Sequence, residues 1–378
     1  MIYLDHNATT PVLPEVLEAM MPFFREEWGN PSSSYRFGSR LKKAIETARE
    51  QVGELLGAHP LEIVFTSGGT ESDNTAIHAM VRADPAKRHI ITSAVEHSAV
   101  LTFCRELEKT GFRITYLPVD RDGLLSINDL ENAISPDTAG VSLMWANNET
   151  GVLFSVEEIA ALCRSRGILF HCDAVQAAGK LPIDLKNVPV DYLSITGHKI
   201  GAPKGVGALF VRRKAPFTPF IQGGHQERGR RGGTESVPLV AGFGMAADIA
   251  RKKSPAFDSK VRPLRDALEN GILTTIPQTE LNGHPALRLA NTTNITFQVI
   301  ESEALLLLLD QAGICARSGS ACLADSADPS HVVAAMKHGS AARQCVRFSL
   351  GASSQTTAIQ KSLSELRAIT RTLVSHVR

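Results

Sequence analysis

The chain of 378 residues has only six cysteines, Cys104, Cys163, Cys172, Cys315, Cys322 and Cys345, and no two of them form a Cys-x-x-Cys pair. A zinc knuckle and a dithiol redox motif are therefore not on offer. No apolar stretch approaches the roughly 18–20 residues that a membrane-spanning helix needs. The start, Met1-Ile2-Tyr3-Leu4-Asp5-His6, has neither the basic residues nor the apolar run of a secretory leader. A formal net charge of +1 gives no electrostatic pull toward nucleic acid or an anionic membrane. Internal repeats and low-complexity segments are missing too. These absences leave a cytoplasmic protein with free thiols as the expectation.

What is present is ordinary in bulk and specific in pattern. Hydrophobic residues make up 43% and charged residues 21%, as in a soluble globular protein. The length suits two domains. From 37 to 56, Leu41, Ala44, Ile45, Ala48, Val52, Leu55 and Leu56 recur at helical spacing, and Gly57 is placed to end the helix. Short apolar runs then alternate with helical patterns: Ile63–Phe65, Ile90–Ile91, Val141–Trp145, Ile168–Phe170 and Tyr192–Ile195. That alternation predicts an α/β fold, a mostly parallel sheet with helices on both faces. From about 257 onward the pattern changes to a smaller α+β unit, with strands near Asn294–Phe297 and Val346–Leu350, a helix over Glu303–Leu309 and a final helix from Thr356.

Each predicted strand runs into polar residues. Phe65 leads to Thr66-Ser67-Gly68-Gly69-Thr70-Glu71, and Ile91 to Thr92-Ser93-Ala94-Val95-Glu96-His97. Trp145 leads to Ala146-Asn147-Asn148-Glu149, Phe170 to His171-Cys172-Asp173-Ala174-Val175-Gln176, and Ile195 to Thr196-Gly197-His198-Lys199. Ligands of open parallel sheets bind beyond the carboxyl ends of the strands. Five such strand ends point to one site. Gly69 and Thr70 suit an anion at a helix N-terminus, although a plain helix cap has the same pattern. Asp173 suits a protonated pyridine nitrogen, or a simple turn. His97 can stack on a ring or shuttle protons, and Lys199 offers an amine for a Schiff base. Cys322, in Ser318-Gly319-Ser320-Ala321-Cys322, is a candidate nucleophile in a run of small residues. Cys104 and Cys163 fall in helical patterns that suit core packing, and the apolar setting of Cys315 suits a structural role. The run Arg228-Gly229-Arg230-Arg231 fits an active-site or dimer-contact loop better than a nucleic-acid patch, with a solvated turn as the bland counterpart.

Taken end to end, the sequence resembles the class I cysteine desulfurases of the NifS/IscS group, fold-type-I pyridoxal-phosphate enzymes. The resemblance rests on Tyr3-Leu4-Asp5-His6-Asn7-Ala8-Thr9-Thr10, Gly29-Asn30-Pro31-Ser32-Ser33, Gly69-Thr70-Glu71-Ser72-Asp73-Asn74, Asn147-Asn148-Glu149-Thr150-Gly151, Asp173-Ala174-Val175-Gln176, Gly197-His198-Lys199 and Arg347-Phe348-Ser349-Leu350. Met144-Trp145-Ala146, Gly223-Gly224-His225-Gln226-Glu227-Arg228 and Pro329-Ser330-His331-Val332 are similar to the NifS, nitrogen-fixation branch. Arg317 stands where a small residue is usual, Cys172 where Thr is common, and Thr196 where Ser is usual.

The resemblance implies a large domain over 16–256, with a mostly parallel seven-stranded sheet flanked by helices, and a small α+β domain from 1–15 and 257–378 that carries the Cys322 loop. It implies pyridoxal 5'-phosphate held as a Schiff base at Lys199, with His97 stacked on the ring, Asp173 at the pyridine nitrogen, and Gln176 and Asn148 at the phenolic oxygen. Gly69, Thr70, Thr196 and His198 would take the phosphate, with Thr234 from the partner subunit of a homodimer. Asn148 and Arg347 would bind the substrate carboxylate. The implied reaction is a sulfurtransferase one: L-cysteine gives L-alanine and a persulfide on Cys322. That persulfide would supply an iron–sulfur scaffold protein, in nitrogenase assembly, and would transiently ligate iron. A fold-type-I aminotransferase or selenocysteine lyase would need Lys199 but not Cys322. A non-catalytic scaffold would need neither.

Overall fold

All five apolar runs become strands, because each is apolar and almost wholly buried. The structure is a computed structural model that describes residues 1–319, 329–337 and 340–377. A short first strand, β1 (Ile2–Tyr3), precedes the seven of the main sheet: β2 (Ile63–Thr66), β3 (His89–Ser93), β4 (Arg113–Leu117), β5 (Thr138–Met144), β6 (Leu169–Asp173), β7 (Tyr192–Thr196) and β8 (Gly207–Val211). Their order in space is β2-β8-β7-β6-β5-β3-β4. β3 to β7 run parallel. β8 is antiparallel to both β7 and β2, so β2 points the same way as the parallel five. The carboxyl ends of six strands therefore share one rim.

Two of the seven strands had no sequence signal strong enough to be expected. β4 is an edge strand with Arg113 exposed and only Leu117 buried. β8 (Gly-Ala-Leu-Phe-Val) follows β7 closely and returns antiparallel. Side chains of alternate residues enter different cores: Ile63 and Phe65 join one apolar cluster and Val64 the other. Burial of both faces explains why the runs read as continuous apolar segments. The helix expected over 37–56 spans Arg36–Leu56, and Gly57 ends it in the left-handed conformation, φ 62°.

Four further strands build a separate layer: β9 (Thr279–Asn282), β10 (Thr292–Phe297), β11 (Ile314–Cys315) and β12 (Cys345–Ser349). β12, β10 and β9 form an antiparallel sheet, whereas β11 pairs in parallel with β1. The helices Ser302–Gln311 and Thr356–Val377 cover the expected positions. This layer has its own apolar core, in which Leu4 joins Val261, Phe297, Phe348 and Leu366. Among the described residues no helix is long and apolar enough to cross a membrane. None of their His, Cys, Asp and Glu side chains group in a way that would hold a metal ion.

Candidate active site

The ends of β2, β3, β5, β6 and β7 open on a cavity of about 200 Å3. Gly69, Thr70, His97, Asn148, Asp173, Gln176, Thr196, His198, Lys199 and Arg347 all line it, so the sequence-predicted groups meet in one place. Thr234 is exposed in the segment before the helix Val237–Lys253 and does not line this cavity. Cys322 lies outside the described residues. Asn7, Ala8 and Asp73 line the cavity as well, although sequence reasoning gave them no role.

One end of the cavity is built to accept an anion without using a cation. The turn after β2 feeds the helix Gly69–Ala83, whose first backbone N–H groups have no partner within the helix. A Cβ on Gly69 would stand 2.9 Å from Val175 Cγ2, so only glycine allows this approach. Thr70 is exposed and offers a hydroxyl, and Thr196 donates to the Val206 carbonyl at 3.3 Å. His198 Nδ1 meets Thr9 Oγ1 at 3.2 Å. Burial, aided by Lys199, Lys204 and His97, pushes the His198 pKa down to about 4, so its ring is neutral near pH 7.

The floor carries acids whose pKa values burial raises. Asp173 ends β6, and its Oδ1 accepts the Val175 N–H at 2.9 Å. Burial raises its pKa, against the pull of His97, the Val175 amide and Lys199. Asp73, one turn into the Gly69 helix, is pushed well up by burial and by the charge of Asp173. Glu96 is pushed up to about 8, mainly by burial, while its Oε1 accepts from Ser93 Oγ and the Met144 N–H. His171, fully buried between Ser142 and Ser194, is pushed down to about 3 by burial, so its 3.5 Å approach to Asp73 is made by a neutral imidazole. A buried carboxyl at Asp173, whose charge a nearby cation would favour, fits a protonated pyridine nitrogen. His97 caps the helix Ser98–Lys109, its Nδ1 accepting from the Ala99 N–H at 3.2 Å. The neutral ring therefore carries its proton on Nε2. Burial lowers the His97 pKa, opposed by Asp173, reinforced by Lys199 and opposed again by Glu149.

The opposite end gathers cations. Lys199 Nζ donates to the carbonyls of Asn7 and Ala8, at 2.5 and 2.7 Å. Arg347, in β12, is 1% exposed; it donates to Asp5 Oδ1 at 2.5 Å and to the Asn148 carbonyl at 2.9 Å. Its Nε and the Oδ1 of Asn148 are buried with no hydrogen-bond partner among the described residues. Two unsatisfied groups on neighbouring residues of the lining, one donor and one acceptor, suit a bound polar molecule. Together the anion end, the Asp173 floor and the Lys199 amine fit pyridoxal phosphate.

Around this cavity the remaining motifs find their places. Arg228 pairs with Glu46 at 2.6 Å, Arg230 donates to the carbonyls of Leu61 and Ile63, and Arg231 grips Glu71 at 2.9 and 3.1 Å. These guanidinium groups are thus engaged within the chain, which fits a pinned loop and not a basic docking patch. Cys104 and Cys163 are buried in core positions, each with its thiol pushed up to about 12 by burial. Cys315 is half-buried in β11. The chain leading toward Cys322 is tied to the pocket by a two-bond backbone bridge between Arg317 and Arg347, 2.6 and 3.2 Å.

A family model for class-V aminotransferases matches residues 2–361. The chain is 50% identical over 378 residues to "Cysteine desulfurase 2" of Trichormus variabilis, covering 98% of this chain and 94% of that one. It is 50% identical to "Cysteine desulfurase NifS" of Azotobacter vinelandii, covering 97% and 92%. Among solved structures, a "NifS-like protein" superimposes with a TM-score of 0.91 at 36% identity, covering 99% of both chains.

Proposed function

The chain belongs to the class-V aminotransferase family and, within it, to the pyridoxal-phosphate-dependent cysteine desulfurases of fold type I, and we propose that its pocket assigns the work of that reaction as follows. Gly69, Thr70, Thr196 and His198 hold the cofactor phosphate, completed by Thr234 from a second copy in a homodimer. Asp173 faces the pyridine nitrogen, His97 lies on the ring, and Gln176 and Asn148 hold the phenolic oxygen. When bound, the cofactor supplies an electron sink for charge developing on the cysteine carbon skeleton.

The chain's own residues do the rest. Arg347 takes the substrate carboxylate with the guanidinium edge that Asp5 and the Asn148 carbonyl leave open. Lys199 Nζ would hold the cofactor and would take the α-proton of the substrate. His97 Nε2 passes a proton near the substrate sulfur. The Cys322 thiolate takes that sulfur: its Cβ–S bond breaks, an S–S bond forms, and a proton replaces sulfur at Cβ. L-cysteine and the Cys322 thiol thus give L-alanine and a Cys322 persulfide, balanced without an outside oxidant. The tie between Arg317 and Arg347 supports this assignment, because it anchors the approach to Cys322 at the carboxylate end.

The convergence of seven chain segments on one cavity carries this reading. We divide the chain into a large cofactor domain, 16–256, and a small one, 1–15 with 257–378; the separate core that includes Leu4 supports that division. The similarity to a NifS protein supports sulfur delivery to an iron–sulfur scaffold in nitrogenase maturation, in the cytoplasm. The test is alanine and persulfide formed from L-cysteine by the cofactor-loaded protein, beside Cys322→Ser. Stoichiometric persulfide in the parent and none in the variant is expected. Alanine without persulfide in the parent would reject transfer through Cys322.

A further inference from the structure

Lys180 is a buried amine that the reaction above does not use. It sits in the turn after β6 and is 8% exposed. Its Nζ donates to Gln176 Oε1 at 2.8 Å and to Asn7 Oδ1 at 3.1 Å. Both partners are amide oxygens and neither is a carboxylate. Its charged neighbours, Lys199 and Arg347, bear the same sign, and with burial as the main cause they push its pKa well down.

The network around it has only one consistent direction. Asn7 Nδ2 donates to Thr292 Oγ1 at 2.8 Å and to the Asn148 carbonyl at 3.2 Å, which leaves Asn7 Oδ1 to accept from Lys180 and from Asn291. Gln176 Nε2 donates to the Asn7 backbone carbonyl at 3.0 Å. A carbonyl can only accept, so that end of Gln176 must be nitrogen, and the end facing Lys180 must be oxygen. Rotating the Gln176 amide by half a turn would set its Oε1 against the Asn7 carbonyl. This holds whether Lys180 carries two protons or three, since either form has enough N–H groups for both oxygens. One Nε2–H of Gln176 remains, on a residue that lines the cavity.

We propose that Lys180 is a positioning residue: by holding the carbonyl end of the Gln176 amide, it makes Gln176 a fixed hydrogen-bond donor toward an anionic oxygen of the molecule bound in the pocket. The inference rests on the reading that Gln176 meets the phenolic oxygen of pyridoxal phosphate. A donor held there favours the less protonated form of the bound cofactor, whose absorbance reports protonation directly.

The test is a pH titration of cofactor absorbance in four homogeneous proteins: parent, Lys180→Met, Gln176→Leu and the double variant. Lys180→Met is expected to raise the midpoint by about one pH unit, a tenfold change in proton affinity. In the Gln176→Leu background the same substitution should add nothing. An equal shift in that background would mean that Lys180 acts as a distant charge, and overturns the proposal; so does no shift in either. Lys180→Gln keeps a donor and removes the charge, so its midpoint should stay within about twofold of the parent. A tenfold change there overturns the proposal even if Lys180→Met fails to fold. A parent protein with no cofactor band would overturn the cofactor reading itself, and is scored before any variant.

Discussion

The two ends of the pocket handle charge in opposite ways. At the helix end, an anion would meet backbone amides, hydroxyls and a His198 ring that burial keeps neutral down to about pH 4. Elsewhere in the lining stand Lys199 and Arg347, with Lys180 buried behind them, and Asp5 is the carboxylate that touches Arg347. A neutral grip suits a phosphate that stays in place through every turnover, because dipoles attract it without adding a titrating group. Cations suit a carboxylate that must arrive and leave, because a guanidinium presents two parallel donors at once. The difference assigns permanence to one end and exchange to the other.

The sharpest way to break this contrast is to remove the amine at the exchange end. Lys199→Ala should lower alanine production by roughly a thousandfold or more, while the variant still takes up cofactor non-covalently; an alanine assay and the cofactor absorbance of the variant check the two, and borohydride reduction should leave no adduct mass on the chain. Arg347→Gln comes next. A lost charge-assisted hydrogen bond of about 1.5–3 kcal/mol should raise the KM for L-cysteine by roughly 10–100-fold with kcat less affected. Steady-state kinetics decide this, and a rise in KM below threefold would remove Arg347 from carboxylate binding. At the neutral end the expected effect is smaller. Thr196→Val should weaken cofactor binding by about tenfold, read as its dissociation constant, without moving the KM for cysteine.

The mildest prediction concerns Glu96. Its folded pKa of about 8 stands above the ordinary carboxyl value, so the folded state holds a proton that the unfolded chain releases. Its contribution is fully present below the unfolded value and is lost as pH rises toward 8. Glu96→Gln mimics the protonated acid, whose Oε2 has no partner among the described residues while Oε1 keeps Ser93 and Met144. Denaturant unfolding from pH 5 to 8 should therefore fall less steeply with pH in the variant than in the parent. An unchanged slope would show that Glu96 is ionised in the fold.

Much of the permanent end was legible in the sequence because its residues follow one another along the chain. A buried run such as Ile63–Phe65 predicts a strand, and the polar residues after it then fall at the rim by geometry. β4 escaped because Arg113 and Thr115 interrupt its apolar pattern at a sheet edge. The exchange end was harder to read. Lys180 meets an oxygen 173 positions away, and Arg347 meets Asp5 across 342. No local pattern records such a meeting. Asn7 stood in a motif that carried the resemblance, yet its carbonyl and side chain serve Lys199, Gln176 and Lys180 only in the folded chain. Cys322, expected from its run of small residues, lies outside the described residues.

The parallel pairing of Ile2 with Ile314 and Tyr3 with Cys315 sets a timetable. Ile2 and Tyr3 have no strand partner until more than three hundred later residues have been made. At about 5–20 residues per second, that wait is on the order of tens of seconds. The main sheet ends at Val211, so it can close well before translation finishes, and Asn7 and Asp5 must stay available until Asn291 and Arg347 emerge. A binder that captures the segment around Ile2–Asn7 would therefore harm maturation of the pocket more than one that captures the final helix.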